Sequence, residues 1–294
     1  MSRCAGEANL STIEVILVDN ASEDGSQALI REQYPWVKLI ELPENRGFTG
    51  ACNAGIAASE GEVVALLNND TEVDPNWAEA VMDAFARHSE VGSVASKMLL
   101  FDKRDHLHTA GDTFSRDGRA GNRGVWQRDV GQYDTEEYVF SACGGSSAYR
   151  RAMLDQIGVL DDTFFFLMED VDLGWRAQLA GWRCLYARAV VYHHLGDWRR
   201  RDGELLRRPQ HTHSSRQNLP AALWRRYGGL ILRAQVKEGW NALRAWRGKA
   251  ARARLRMLAG VWRALTIWPQ RRRVQATRTV SIEYLDSLLL PPQS

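Results

Sequence analysis

Cysteine is scarce in this 294-residue chain: Cys4, Cys52, Cys143 and Cys184 lie far apart and form no Cys-x-x-Cys pair. This excludes a cysteine-built zinc site and a disulfide framework, and it fits a reducing compartment. No apolar run reaches the roughly 18 residues of a membrane span, so no spanning helix is expected. The N-terminus has no apolar h-region, so no signal peptide is expected. There is no internal repeat. Net charge is also nearly absent, at +2, but this near-zero hides an uneven distribution. Residues 1–198 hold 17 Lys and Arg against 31 Asp and Glu, a net of −14; residues 199–278 hold 21 against 3, a net of +18. An acidic half with ordinary globular composition is therefore joined to a strongly basic tail, and the run Arg199-Arg200-Arg201 marks the expected boundary between 1–198 and 199–294. A tail of this charge fits a polyanionic partner: a membrane surface, a phosphorylated lipid or a nucleic acid.

Short β-branched runs alternate with helical stretches from Ile13 onward. Strands are expected over Ile13–Val18, Val37–Leu42, Val63–Leu67 and Val91–Lys97. Helices are expected over Ser22–Gln33, Ala51–Ser59 and Pro75–His88, the last with Pro in its first turn. This alternation implies βαβ units and a mainly parallel sheet, in which ligands bind at the carboxyl ends of the strands. Asp19, Arg46 and Asp70 all fall just past strand ends. Residues 101–140 are polar and glycine-rich, and read as loops with short strands. A helix over Leu173–Ala180, closed by Gly181, and a strand over Cys184–Tyr192 complete the acidic half.

Two acidic clusters follow apolar runs. Glu169, Asp170 and Asp172 come directly after Phe164 to Met168, and Asp70 and Glu72 follow Leu66-Leu67-Asn68-Asn69. Acids brought together at the edge of a core acquire raised pKa values suited to a general base. The alternative for the first cluster is an acidic helix N-terminus, where carboxylates favour the positive end of the dipole. For Asn68-Asn69-Asp70 the alternative is a plain turn, and for Asp19 an N-cap or turn role.

Taken in order, Val18-Asp19-Asn20-Ala21-Ser22-Glu23-Asp24-Gly25-Ser26, Asn45-Arg46-Gly47-Phe48, Leu67-Asn68-Asn69-Asp70, Gly144-Gly145-Ser146, Glu169-Asp170-Val171-Asp172 and Tyr192-His193-His194 resemble a family-2 glycosyltransferase of the GT-A fold, in its bacterial rhamnosyltransferase-like branch. The resemblance implies a nucleotide-diphosphosugar donor such as dTDP-rhamnose or a UDP-sugar, a divalent metal (Mg2+ or Mn2+), and inversion at the anomeric carbon. It implies that Asp19, Asn20, Arg46, Asn68 and Asn69 contact the donor, and that Asp70 and His193 hold the metal, with His194 the rival ligand. Asp170 takes the role of catalytic base with Glu169 beside it, and Asp172, Gly144 and Gly145 face the acceptor. Asn68 stands where the family's metal motif has its first Asp. Arg176, one turn past Asp172, pairs with it or faces the diphosphate.

The resemblance also leads one to expect a strand before that of Asp19, and only eighteen residues precede Asp19; Met1–Ser11 reads as the end of a helix, so the chain is expected to lack the family's first strand. In the tail, Trp224, Trp240, Trp246, Trp262 and Trp268 lie among Arg and Ala at near-helical spacing, reading as two or three amphipathic helices. Such helices are expected to lie on an anionic membrane surface, the alternative being that their Trp faces pack onto the catalytic domain. No nucleic-acid module surrounds them, so no nucleic-acid partner is expected. The expected place of action is the cytoplasmic face of the inner membrane, peripherally, on a cell-surface glycan or lipid-linked acceptor. Two other readings stay open: a metal-dependent nucleotidyltransferase, and a non-catalytic relative that binds glycan or membrane.

Overall fold

A computed structural model describes residues 13–165, 167–194, 217–244 and 264–292. The readings that fall on 1–12, on Arg199–Arg201 and on Trp246 and Trp262 lie outside the described residues. In chain order the elements are β1 (Ile16–Asp19), α1 (Ser26–Gln33), β2 (Lys38–Glu41), α2 (Gly47–Ala58), β3 (Val63–Leu67), β4 (Thr71–Val73), α3 (Trp77–Arg87) and β5 (Val91–Leu100). There follow β6 (Leu107–Thr109), β7 (Asp112–Ser115), β8 (Ala120–Asn122), β9 (Glu137–Val139), β10 (Ser146–Arg150), α4 (Arg151–Ile157), α5 (Glu169–Leu179) and β11 (Arg183–His193). The C-terminal part contains α6 (Ala221–Arg244), α7 (Ala264–Ala276), α8 (Ile282–Ser287) and β12 (Leu289–Leu290).

The fold is α/β, and its main sheet runs β3-β10-β5-β11-β4. Strands β5 and β11 are parallel, as are β1 and β2 in a separate pair, but β10 enters antiparallel between β3 and β5, and β4 is antiparallel at the edge. The sheet is thus more mixed than the βαβ reading implies, because the 101–145 excursion returns the chain from the opposite direction. Successive strand residues alternate faces. Ala148 of β10 joins the core under α3, with Val81, Phe85, Val94 and Leu185, while Tyr149 joins the core under α2, α4 and α5, with Ile56, Met153, Leu154 and Leu173. Helix α5 begins four residues earlier than its apolar pattern suggests, so the acids form its first turn and do not precede it.

The described C-terminal residues do not build a core of their own. Leu219, Leu223, Tyr227, Ile231, Val274, Leu285 and Leu289 share one cluster with Val171, Trp175 and Leu179 of α5 and with Phe114 and Phe140. Within the C-terminal part Gln275 Nε2 donates to the Asn218 carbonyl, and a polar tie crosses the same seam, Tyr284 Oη donating to Gln178 Oε1. At its centre is Asp172, fully buried, accepting from Arg176 Nε at 2.8 Å and Asn218 Nδ2 at 2.6 Å. The expected boundary near 199 therefore does not separate two cores.

Arg176 is itself buried and donates to the carbonyls of Ile157, Gly158 and Val159. Removing one partner of such a pair leaves an uncompensated buried charge. Asp172→Ala is expected to lower unfolding free energy by about 3–5 kcal/mol, measured by urea denaturation, whereas substitutions of the exposed Arg104–Glu72 pair should stay within about 1 kcal/mol.

Candidate active site

The site is built around the first turn of α5. The chain reaches it through Leu167 and Met168, both non-glycine residues with φ near +72°. Such left-handed pairs are costly and persist where surrounding structure over-determines them. Here the apolar anchors Phe164 and Met168 are buried on one side, and the Met168 carbonyl accepts from the Asp172 amide on the other. The result presents Glu169 and Asp170 at the positive end of a helix, as the acidic N-terminus reading expects.

The two acids are held differently. Asp170 Oδ2 accepts from the Gly144 amide at 2.9 Å and Oδ1 from the Val171 amide at 2.7 Å. Burial pushes its pKa up, and these backbone bonds oppose the shift without cancelling it. Glu169 is 4% exposed, and its Oε2 has no hydrogen-bond partner. Burial first, and then the charge of Asp170, raise its pKa from 4.5 to about 8. Both carboxylates approach one point: a Cβ on Gly144 would sit 3.5 Å from Asp170 Oδ2 and 3.5 Å from Glu169 Oε1. Asp172 is the exception among the three. Both its oxygens are engaged inside the core, so it does not face an acceptor; it anchors the helix through Arg176, and this corrects its expected role.

Gly144 and Gly145 join the two acidic clusters. The Gly144 amide holds Asp170, and the Gly145 carbonyl accepts from the Asn68 amide at 3.1 Å. Both contacts are made by the backbone of the pair. Asn68-Asn69-Asp70 forms the turn between β3 and β4, tied by Thr71 Oγ1 donating to the Asn68 carbonyl. Asp70 lies beside the end of β11, where the His194 amide donates to its carbonyl and His193 Nε2 stands 3.1 Å from its Oδ1. Burial pushes the Asp70 pKa up, but hydrogen bonding and charge from His193 outweigh it, and the net direction is down. Adjacent strand residues diverge here as expected: His193 is buried toward Asp70, while His194 is exposed and stacked on Phe101. The half-exposed Asp70 carboxylate is the oxygen donor that suits Mg2+ or Mn2+, ions bound through one or two carboxylates plus water and substrate phosphates, and His193 Nε2 stands beside it as a second donor.

The donor-side residues divide into frame and surface. Asp19 is buried at the end of β1 and accepts from the Ser22 amide and Gln27 Nε2, so it caps the turn into α1. Asn20 is a cross-brace: its Oδ1 accepts from the Arg46 amide, and its Nδ2 donates to Asn45 Oδ1 and the Gly47 carbonyl. Arg46 is exposed, as is Asn69. Gly47 has φ +72°, and a Cβ there would lie 2.5 Å from the Phe165 carbonyl oxygen, which accepts from the Phe48 amide. The loop at 45–48 is thereby docked on the segment that leads into α5.

Two residues near these groups carry no signal in the sequence. His108 of β6 meets His193 with their Nδ1 atoms 3.0 Å apart, and burial pushes its pKa down to about 3. Asp112 is buried behind α5; it accepts from Ser141 Oγ, and burial followed by the Asp170 charge raises its pKa well above the carboxylate range. Both sit in the polar segment at 101–140, where no periodicity singles them out.

The family model described as glycosyl transferase family 2 matches residues 4–158, more than half of the chain. The N-acetylglucosaminyl-diphospho-decaprenol L-rhamnosyltransferase of Mycobacterium tuberculosis is 30% identical over 206 residues, covering 62% of this chain and 66% of that protein. The O-antigen biosynthesis protein RfbC of Myxococcus xanthus is 32% identical over 200 residues, 64% of this chain and 15% of that protein. The chain thus spans just under two thirds of the first relative and a small part of the second. Among solved structures, a mannosyltransferase of Pyrobaculum calidifontis in complex with GDP-Man and Mn2+ superposes with a TM-score of 0.52 at 17% identity, over 90% of this chain and 76% of that one. GalNAc-T7 with UDP, GalNAc and Mn2+ gives 0.51 at 15% identity, over 62% and 37%. At these identities the likeness speaks to the fold, which is GT-A.

The buried Glu169 makes stability depend on pH. Its folded pKa is raised, so the folded state holds this proton more tightly than the unfolded chain does. Its contribution to stability is complete below pH 4.5 and is lost as pH rises through about 8. Glu169→Gln is expected to flatten the decline in melting temperature between pH 5 and pH 9, and to be the more stable form at the alkaline end; parallel calorimetric scans check this.

Proposed function

The chain belongs to glycosyltransferase family 2, and from that premise we propose that it transfers a sugar, with inversion, from a nucleoside-diphosphate sugar such as dTDP-rhamnose or a UDP-sugar to a cell-surface glycan or lipid-linked acceptor. The observation that carries the reading is the diglycine link at 144–145, which places a pair of raised-pKa acids on one side and the Asp70–His193 corner on the other. In this reading Asp170 is the base. Its two backbone bonds fix its orientation, and a carboxylate keeps further acceptor capacity beyond them. It takes the proton of the acceptor hydroxyl as that oxygen bonds the anomeric carbon. The bond from that carbon to the diphosphate oxygen breaks on the opposite face, and the nucleoside diphosphate leaves with the electron pair. Beside Asp170, Glu169 holds its proton more tightly than an ordinary carboxyl, through burial and then the Asp170 charge. Asp70 and His193 would hold a divalent cation, which supplies neutralising charge for the departing diphosphate. Asn69 and Arg46 are the exposed donor-side groups. The relatives act in rhamnosyl transfer and O-antigen biosynthesis, which supports a rhamnose-type donor and a polysaccharide product.

The same reading places the protein peripherally on the cytoplasmic face of the inner membrane. Helix α6 buries Leu223, Tyr227 and Ile231 and turns Leu232, Val236 and Trp240 outward, with Arg225, Arg233 and Lys237 exposed beside them. No described helix is long and apolar enough to cross a membrane. An outward apolar stripe flanked by cations suits an anionic interface, at about 1 kcal/mol for each basic residue near the surface.

With dTDP-rhamnose or UDP-sugars and a lipid-linked acceptor, Asp170→Asn is expected to lower kcat by about 100-fold or more while nucleotide binding stays near the parent value. Equal turnover of the two proteins would remove Asp170 from the base role. For the membrane, the triple change Leu232→Glu, Val236→Glu and Trp240→Ser is expected to abolish flotation with anionic vesicles without loss of fold, and high salt should release the parent. Unchanged flotation of the triple variant would defeat the assignment of this face.

A further inference from the structure

Resting on the reading of Asp70 and His193 as cation ligands, we propose that His108 is the positioning residue of that site: it holds the His193 ring and accepts the proton that His193 must carry on Nδ1 when its Nε2 meets a cation. The two rings lie 4.8 Å apart at 39°, on strands that both pair with β5. His193 closes β11, where its carbonyl accepts from the Phe101 amide. His108 sits on β6 between the fully buried Leu107 and Thr109, and β6 pairs with β5 through Met98–Thr109 and Leu99–Leu107. On its other side Leu107 exchanges backbone bonds with Trp126 and Gln127. The ladders hold the two backbones in place, so the roots of the two rings keep their separation.

At the 3.0 Å contact between the two Nδ1 atoms, the tautomers decide which ring donates. A neutral imidazole carries one N–H and one lone pair, so one of the facing nitrogens donates and the other accepts. Without a cation, His193 Nε2–H donates to Asp70 Oδ1 at 3.1 Å, and His193 Nδ1 then accepts from His108 Nδ1–H. A cation shared by Asp70 and His193 needs a bare Nε2. The His193 proton then resides on Nδ1 and is donated to His108 Nδ1, and His108 carries its own proton on Nε2. The pair holds the same number of protons in both arrangements, so the protons balance. Among the described residues, His108 is the group placed to accept that Nδ1 proton. Partners of this kind fix tautomer and ring orientation, and losing one typically costs about 10–100-fold in metal affinity.

The test titrates Mn2+ into the full chain in excess UDP, and separately in excess dTDP, following free Mn2+ by electron paramagnetic resonance. His108→Phe is expected to weaken Mn2+ binding by about 10- to 100-fold. His108→Gln, whose amide can accept at the same place, should recover most of the loss, and His193→Ala should abolish the site. Unchanged affinity in His108→Phe alongside loss in His193→Ala would overturn the role of His108 and leave the cation site standing. Unchanged affinity in His193→Ala would overturn the site reading itself. A second readout uses the parent alone: 15N imidazole shifts with Mg2+ and nucleotide should show the His193 proton on Nδ1, moved there from Nε2 in the metal-free protein. A proton on Nε2 in the loaded state would overturn the proposal whatever the variants do.

Discussion

The carboxylate of Asp172, fully buried between Arg176 and Asn218, fixes where helix α5 can lie. A charge with no access to water tolerates little displacement of its partners, since each lost bond leaves a desolvated group behind. Arg176 extends the constraint through three carbonyls of the segment at 157–159, and Asn218 extends it to the C-terminal part of the chain. Gly174 adds a steric condition: a Cβ there would lie 2.3 Å from the Ser141 side chain, so α5 approaches the segment at 141–145 more closely than any larger residue allows. That approach is what lets the Gly144 amide reach Asp170.

The first turn of the same helix is arranged in the opposite sense. Glu169 is buried with one oxygen unpartnered, beside a second raised-pKa acid, and the chain enters through two left-handed non-glycine residues. Each feature destabilises the folded state, and each suits a group that must hold and release a proton near neutral pH. The rigid end of α5 therefore offsets the strained end, within eleven residues. Across the diglycine, the Asp70 turn follows the same division: backbone bonds fix it to β10 and β11, and the half-exposed carboxylate is left facing a histidine.

The C-terminal part serves two surfaces at once. Its inner side completes the core around Trp175, which stacks edge-on against Phe114 and Phe140, so it cannot be removed without uncovering α5. Its outer side on α6 carries Leu232, Val236 and Trp240.

The sequence by itself determined the alternation of strands and helices, the two acidic clusters, and the divergence of His193 from His194. All of these are properties of local periodicity and of strand ends, which depend on near neighbours in the chain. The order of six short motifs was likewise legible, and with it the family. Only the tertiary structure decided the rest. Asp172 looks equivalent to Asp170 in the chain, yet one turns into the core and the other toward Gly144, because α5 starts at Glu169 and packs against a partner, Asn218, 46 residues away. Asn20 was legible as a strand-end polar residue but not as the brace of the 45–47 loop. His108 and Asp112 were invisible because the irregular segment that carries them gains its meaning only by pairing with β5 and by packing behind α5. The antiparallel entry of β10, and the shared core that erases a boundary suggested by charge, have the same origin: contacts between distant parts of a chain leave no period in it.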